Sequence, residues 1–524
     1  MKTMTRWGMG GVALGLVVSG ALTVTAESQP WAAASTPSSS ASWPYANGDL
    51  ANSRDVIGSN ITSANVSQLK VAWTFKIPGK AAKSYFELGL LVANPVVVDG
   101  VAYLQDINSN VYAISLLTGK LAWEYYIDKP LISGPGPNGV AVADGVVFGL
   151  TPKTAFALSA TSGDVIWVDK NLLKKGQGTF GMQPQAANGR VYIASQYGSG
   201  PGGGVLMALR MTNGHKLWGF NTVTSEAPGV QALGVGAGGA WETPLVGTDG
   251  SVTYGTGNPY QSLGSAINTP ERQLYTDSDV NLNAATGQLR WFYQGVPNDF
   301  KDYDMQASPI AASVNGTPVV LGGGKMGIVY EMNALTGHLI WKTPVGEHNG
   351  HDNDSLNMLE HQDIPKVPFA YDPGSLGGIL TNMAVADGSV YVATNDVELQ
   401  FTSLGDSDID GTTVKHETET GEVEALSLAT GKVEWDTKVS ELPLGATTVV
   451  NDLVFTTLYD GQLIALNRAT GAIVCRIKLP TSTNATIAVA GNTILVPTGG
   501  PVTGEKAGKD TGGGNPQLVA YRLP

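Results

Sequence analysis

The sequence predicts an all-β chain closed into a single eight-bladed β-propeller. Three observations carry that prediction. A strand–turn–strand unit ending in tryptophan recurs along the chain, from "VYAISLLTGKLAW" at Trp123 to "VEALSLATGKVEW" at Trp435. A second hairpin signal precedes each unit, as in "VVVDGVAYL" around Asp99-Gly100. One strand at each end of the sequence lacks a partner of its own. Repetition at such a period marks arrays whose units bury their faces only against neighbours.

The tryptophan endings fall at Trp123, Trp167, Trp218, Trp291, Trp341 and Trp435, and a seventh unit ends in Cys475. Each turn carries a Thr/Ser/Asn-Gly pair, in which glycine supplies the positive φ. The preceding hairpins turn on Asp99-Gly100, Asp144-Gly145, Asn188-Gly189, Asp249-Gly250, Asn315-Gly316, Asp387-Gly388, Asn451-Asp452 and Gly491-Asn492, which makes eight. Two-residue turns of this kind are the strongest short-range hairpin signal. The eighth outer strand is absent after the last hairpin. "LKVAWTFK" (Leu69–Lys76) has its character, and "PQLVAYRLP" at the C-terminus needs such a neighbour. Pairing the two closes the ring and removes the exposed edges. The tryptophans are expected between blades, where an aromatic ring buries area that one blade cannot cover alone. Most spacings are about 40–50 residues, one blade each. The spacing from Trp218 to Trp291 is 73 and that from Trp341 to Trp435 is 94. Loops of that excess length are functional or disordered more often than not; they flank "NDFKDYD" and are expected to wall one mouth of the ring.

Composition agrees with a turn-rich β protein: 524 residues, 67 of them glycine, 42 % hydrophobic and only 14 % charged. A net charge of −13 argues against nucleic acid as a partner, since phosphate backbones select basic surfaces. Lys2 and Arg6 precede a Gly/Ala/Val/Leu run ending in "VTA" at Val24–Ala26. Residues 1–26 therefore read as a secretory signal, 27–45 as a flexible linker and 46–524 as the propeller. The expected location is outside the cytoplasm, in a periplasm or the cell exterior. No later run approaches the roughly 18 apolar residues of a membrane span. Cys475 is the single cysteine, so the sequence holds no disulfide, no cysteine zinc site and no c-type haem attachment motif. Any redox chemistry would need a separate external electron acceptor.

The repeat "A-x-x-x-x-T-G-x-x-x-W" is similar to the tryptophan-docking repeat of the pyrroloquinoline quinone (PQQ) dependent dehydrogenases, and the resemblance runs from Trp43 onward. It implies an alcohol- or sugar-oxidising enzyme that uses PQQ with calcium or a lanthanide ion. "GGAWETPLVGTDGSVTYGTGNP" (Gly238–Pro259) resembles the segment that floors the quinone with tryptophan and supplies an asparagine to the metal, here Trp241 and Asn258. "DYD" resembles the catalytic stretch, which makes Asp302 the base and Asp304 a further metal ligand. "GGGKMGIVYEMNALTG" resembles the segment whose basic residue meets the quinone oxygens, here Lys325. Four other positions depart from the pattern. The paired cysteines fall near Ile132 and Ser133, a cofactor-binding arginine at Asn138, a glutamate near Val92 and a glutamate metal ligand near Ser199. PQQ has three carboxylates, which an arginine fork recognises well.

In "GVPNDFKDYDMQASP" three aspartates, Asp299, Asp302 and Asp304, occupy six positions. Carboxylates so close need water, a cation or a catalytic task. Asp302 would take the substrate hydroxyl proton and share a cation with Asn258 and Asp304; an all-oxygen set suits calcium or a lanthanide rather than zinc. The plainer readings are turn-capping for the aspartates, an Asx turn for Asn258 and core packing for Trp241. His348, His351, Asp352 and Asp354 cluster in "GEHNGHDND" and read as a polar loop at the mouth sooner than as metal ligands. Two other functions compete on the same ring. One is a PQQ-free hydrolase of the tetrathionate hydrolase type, favoured by the low charge and the four departures. The other is a non-catalytic scaffold similar to outer-membrane assembly factors, against which "DYD" and the long loops count. Fold alone does not choose among them.

Overall fold

The structure, a computed structural model, describes residues 42–78, 90–127, 138–196, 203–223, 237–406, 420–499 and 516–524. The expected signal sequence, the expected linker up to residue 41, Ile132, Ser133 and Ser199 lie outside the described residues.

Eight antiparallel blades of four strands succeed one another along the chain, and Asp55–Val56 adds a parallel strand to the seventh. Blade 1 runs from Val96–Val98 to Leu121–Tyr125, blade 2 from Ala141–Ala143 to Val165–Asp169, and blade 3 from Gln185–Ala187 to Lys216–Asn221. Blade 4 runs from Leu245–Val246 to Leu289–Gln294, blade 5 from Ile310–Val314 to Leu339–Pro344, and blade 6 from Ala384–Ala386 to Val433–Val439. Blade 7 runs from Thr448–Val450 to Ile473–Lys478. Blade 8 starts with Ala488–Ala490 and is completed by Lys70–Lys76, which pairs antiparallel with the C-terminal strand Gln517–Arg522. The closure expected from the two orphan strands is therefore observed, and the inner strand of blade 8 packs against that of blade 1.

The tryptophans act between blades. Each outer-strand indole donates to a turn carbonyl of the next blade: Trp73 to Leu116 at 2.8 Å, Trp123 to Ala160 at 2.9 Å and Trp435 to Arg468 at 2.9 Å, with Trp167, Trp218, Trp291 and Trp341 alike. The ring lies flat on the turn glycine. At Gly471 the φ is +72° and an added Cβ would stand 2.5 Å from the Trp435 ring. Gly471→Ala is expected to cost about 1–3 kcal/mol in urea unfolding, from backbone strain and overpacking together. Cys475 explains itself by the same geometry. The next outer strand comes from the N-terminus, so blade 8 offers no Thr-Gly turn, and the thiol meets the Val66 carbonyl instead.

The packed propeller begins before residue 46. Trp43, placed by sequence in the linker, is fully buried and bridges Val97 of blade 1. From there residues 43–56 cross the inner strands. Ala51, Ser53 and Arg54 accept backbone bonds from Ala311, Val385 and Val449 of blades 5, 6 and 7. Arg54 is fully buried, and its guanidinium is satisfied by Thr447, Asn47, Thr448 and Ile487. Among the described residues no helix is long and apolar enough to cross a membrane.

The two long inserts meet. The short helix Leu263–Asn268 of the first receives its capping contacts at Asp406 and Leu404, beyond blade 6's second strand. Phe300 packs in one cluster with Leu263 and Ala266 of the first insert and Met358 and Tyr371 of the second.

Candidate active site between blades 4 and 5

Propeller topology decides which side chains meet. Asn258 follows the second strand of blade 4, Ser251–Gly255, and Lys325 follows the second strand of blade 5, Thr317–Gly323. Trp241 precedes the first strand of blade 4, and Asp302 and Asp304 precede the first strand of blade 5. Antiparallel hairpins put the end of a second strand beside the start of a first one. All five residues therefore emerge on one face of the ring.

The connection carrying the aspartates is clamped between the two blades. Met305 donates its N–H to Thr256 of blade 4 at 3.1 Å, while Lys325 of blade 5 donates to the Asp304 carbonyl at 3.1 Å. The approach needs glycine: a Cβ at Gly324 would fall 1.8 Å from the Asp304 carbonyl oxygen. At Gly257 a Cβ would fall 2.6 Å from Asp304 Oδ1 and 2.7 Å from the Trp241 ring, so Trp241 and Asp304 lie side by side over a bare backbone.

Within the site Lys325 Nζ stands 2.5 Å from Asp302 Oδ2 and 2.6 Å from Asp304 Oδ2. Asn258 Nδ2 donates to Asp302 Oδ1, and the Asn258 N–H donates to Asp304 Oδ1 at 2.8 Å. Burial would lower the Lys325 ammonium, but the Asp302 and Asp304 carboxylates outweigh it and hold the group far above the usual lysine range. Asp302 has a φ of +64°, a left-handed conformation that aspartate tolerates better than most residues. Its setting comes from Asp299, whose two oxygens accept the N–H groups of Lys301 at 3.0 Å and Tyr303 at 2.8 Å, one on each side of Asp302.

Every residue singled out for the site is thus in one place: Trp241, Asn258, Asp302, Asp304 and Lys325. The oxygens of Asn258, Asp302 and Asp304 could hold a hard cation, and the Lys325 ammonium stands in for one between two of them. Asn138 and Val92 are both buried. The histidine cluster does not converge on a ligand: His348 pairs with Asp352 at 2.8 Å and His351 with Asp354 at 2.9 Å.

Other neighbours were not singled out. Lys301 is fully buried, donates to the His351 carbonyl at 2.6 Å, pairs with Asp354 at 2.7 Å and lies 5.3 Å from the rings of Phe300, Tyr303 and Tyr371. It ties "DYD" to the second insert. Asp277 is fully buried, and burial together with Asp299, Asp304 and Asp302 pushes its carboxyl well up. The sequence signal for Asp277 is a D-x-D at the head of blade 4's third strand, Ser278–Asn283.

Raised carboxyls set the pH dependence of folding. Burial holds Asp299 at about 6 and Glu331 at about 7, and burial with Asp387 holds Asp55 at about 6. A carboxyl raised in the fold keeps its proton longer than in the unfolded chain. Its contribution is complete below about pH 4 and is lost as pH climbs through 6–7. Asp406, lowered by bonds from Ser403 and Thr402, and Asp452, lowered by bonds from Ser63, in each case outweighing burial, set the acid edge. Melting temperature is expected to peak at about pH 4–5 and fall towards pH 8 in a calorimetric series; a rise over that interval would contradict the assignment.

A family profile for the glucose/ethanol/alcohol dehydrogenase β-propeller domain matches residues 43–371, and one for the outer membrane protein assembly factor BamB matches 372–512. The chain belongs to the quinoprotein dehydrogenase β-propeller family. It is 26 % identical to the quinoprotein alcohol dehydrogenase PedH of Pseudomonas putida, with 78 % of this chain and 77 % of that one covered. It is 25 % identical to the quinohemoprotein alcohol dehydrogenase of Comamonas testosteroni, covering 82 % and 68 %. In structure it is similar to the Comamonas testosteroni enzyme (TM-score 0.74, 21 % identity, 92 % and 80 % covered). A europium-containing methanol dehydrogenase gives TM-score 0.75 at 20 % identity, with 93 % and 98 % covered. BamB from Moraxella catarrhalis shares the fold less closely, at TM-score 0.52 and 13 % identity, with 87 % and 99 % covered. The eight-bladed ring and the quinoprotein class expected from the repeat are both borne out.

Proposed function

We propose that the protein is a secreted, PQQ-dependent oxidoreductase that oxidises a small alcohol or sugar and passes its electrons to an external acceptor. The observation that carries this reading is the meeting of Asn258, Asp302, Asp304 and Lys325 beside Trp241. Trp241 offers a flat apolar floor for a ring system, and Asn258, Asp302 and Asp304 offer oxygen ligands for calcium or a lanthanide. When bound, the quinone accepts the two electrons of the oxidation and the cation polarises its carbonyl as a Lewis acid.

The chain's own groups do the rest. Asp302 accepts the proton of the substrate hydroxyl at a carboxylate oxygen. Its neighbours fix that oxygen: Asp299 holds the turn, Asn258 holds Oδ1 and Lys325 holds Oδ2. Lys325 stays protonated and supplies positive charge where the reduced cofactor gains negative charge.

Adding PQQ with calcium or lanthanum to the purified protein should change its visible spectrum and start dye-coupled alcohol oxidation. A null result on both counts, at acid and neutral pH, removes this reading. The burial of Asn138 and Val92, where the family supplies a guanidinium and a carboxylate, favours a quinone-free hydrolase as the second reading. Release of thiosulfate from tetrathionate at low pH by the untreated protein would establish it.

A further inference from the structure

Away from the site, one face of blade 6 gathers carboxylates that no part of the proposed chemistry uses. In the strand Ser389–Asp396, Thr394 and Asp396 point to the same side. Thr394 lies opposite Glu422 of the next strand, and Glu422 lies opposite Lys438 of the outer strand. Glu347, from the insert that follows blade 5, reaches the same place. Its backbone N–H and that of Gly346 donate to Asp396 Oδ1 at 3.3 Å and Glu424 Oε1 at 2.7 Å. One carboxylate oxygen each from Glu347, Asp396 and Glu422 lies within 4.8 Å of the other two.

Acidic groups often collect without an ion, so the deciding observation is Thr394. Its side chain is fully buried, and among the described residues its Oγ1 has no hydrogen-bond partner. Register sets it on the same sheet face as Glu422, and it lies beside Gly346 together with Asp396: the point where a Cβ would stand on Gly346 is 3.0 Å from Thr394 Oγ1 and 3.3 Å from Asp396 Oδ1. A buried hydroxyl left without a partner costs free energy unless something occupies the space before it. The cation now in place is the Lys438 ammonium, which touches Glu422 and Glu347. That side chain is 59 % exposed and free to swing into solvent.

We propose that Glu347, Asp396, Glu422 and Thr394 form a calcium site, separate from the cation site of the proposed dehydrogenase chemistry. Calcium binds oxygens at 2.3–2.6 Å, so it bridges oxygen pairs up to about 5 Å apart, whereas magnesium at 2.0–2.1 Å reaches only about 4 Å. The three carboxylate oxygens lie within 4.8 Å of one another, a span that calcium covers in full. The site joins the insert, through Glu347, to the body of blade 6. The same insert grips Lys301 through His351 and Asp354, and its Pro373 carbonyl accepts from Tyr303, the neighbour of Asp302. Calcium here would pin the wall that flanks the active site.

The test is calorimetric titration of the metal-free full-length protein with calcium chloride alone, comparing wild type with Asp396→Asn, Thr394→Val and Lys438→Met. Asp396→Asn should remove one equivalent of calcium, and Asp304→Ala should leave that equivalent in place. Thr394→Val should weaken it several-fold without loss of melting temperature in the absence of calcium, because its hydroxyl bonds nothing there. Lys438→Met should tighten it at least about tenfold, since a competing charge is gone. Unchanged stoichiometry in Asp396→Asn, or unchanged calcium affinity in Lys438→Met, would overturn the proposal and leave the cluster as a lysine-neutralised sheet face.

Discussion

Asp302→Asn is expected to lower kcat by about 10²–10⁴ in the PQQ- and metal-reconstituted protein, the usual contribution of a positioned general base. The substitution keeps the shape of the side chain and removes its capacity to take a proton. The fold should survive. Lys325 keeps its second partner, Asp304, at 2.6 Å, and the turn is held by Asp299 rather than by Asp302 itself. Melting temperature should therefore move little while turnover collapses, and KM should change less than kcat because the carboxylate acts on the reacting proton. A variant that keeps wild-type kcat places the base elsewhere, with Asp277 the next buried carboxyl to test. A variant that unfolds would show that Asp302 braces Lys325 and that the fold depends on it.

The ring was readable in the sequence because its determinants are local. A positive φ at the turn demands glycine, and an indole lying on that glycine demands tryptophan, so blade after blade repeats the same short string. Closure was readable for a related reason. Lys70–Lys76 is a blade's outer strand without the blade, and Gln517–Arg522 is the strand that needs an outer neighbour. Cys475 in place of tryptophan records the same event, since no glycine turn stands before it. The site was readable in part, because crowded aspartates signal themselves along the chain. What supports them does not. Lys301 reads in sequence as an ordinary charge, yet it is fully buried among three rings and an aspartate on an insert some fifty residues away. The acidic face of blade 6 exists only once strand register sets Thr394 opposite Glu422 and Glu422 opposite Lys438. Register is a long-range property, fixed by which faces are buried, and a single sequence states it weakly. Arg54 belongs to the same class. Three of its four partners lie some four hundred residues away, where the N-terminal segment crosses the inner strands.

Lys325→Met should be the most destabilising single change at the site, by about 3–5 kcal/mol, the usual cost of stripping one partner from a buried ion pair. Asp304 is almost wholly buried and Asp302 largely so, and Lys325 is the cation between them. Without it two largely buried carboxylates face each other, with Asn258 donating to both. The loss should depend on pH in a direction that identifies its cause. An unneutralised pair binds a proton more readily in the fold than in the unfolded chain. Its penalty is therefore absent at low pH, where the proton is bound in both states, and grows as pH rises past the ordinary aspartate value of about 4. Unfolding of Lys325→Met and wild type should differ least at about pH 4 and most at neutral pH. Calcium or lanthanum should then recover much of the deficit at neutral pH, because a hard cation takes the place the ammonium left. A methionine variant as stable as wild type across the range would mean that the two aspartates are not held ionised together. A deficit that persists unchanged at pH 4 would mean that Lys325 matters for its packing rather than its charge.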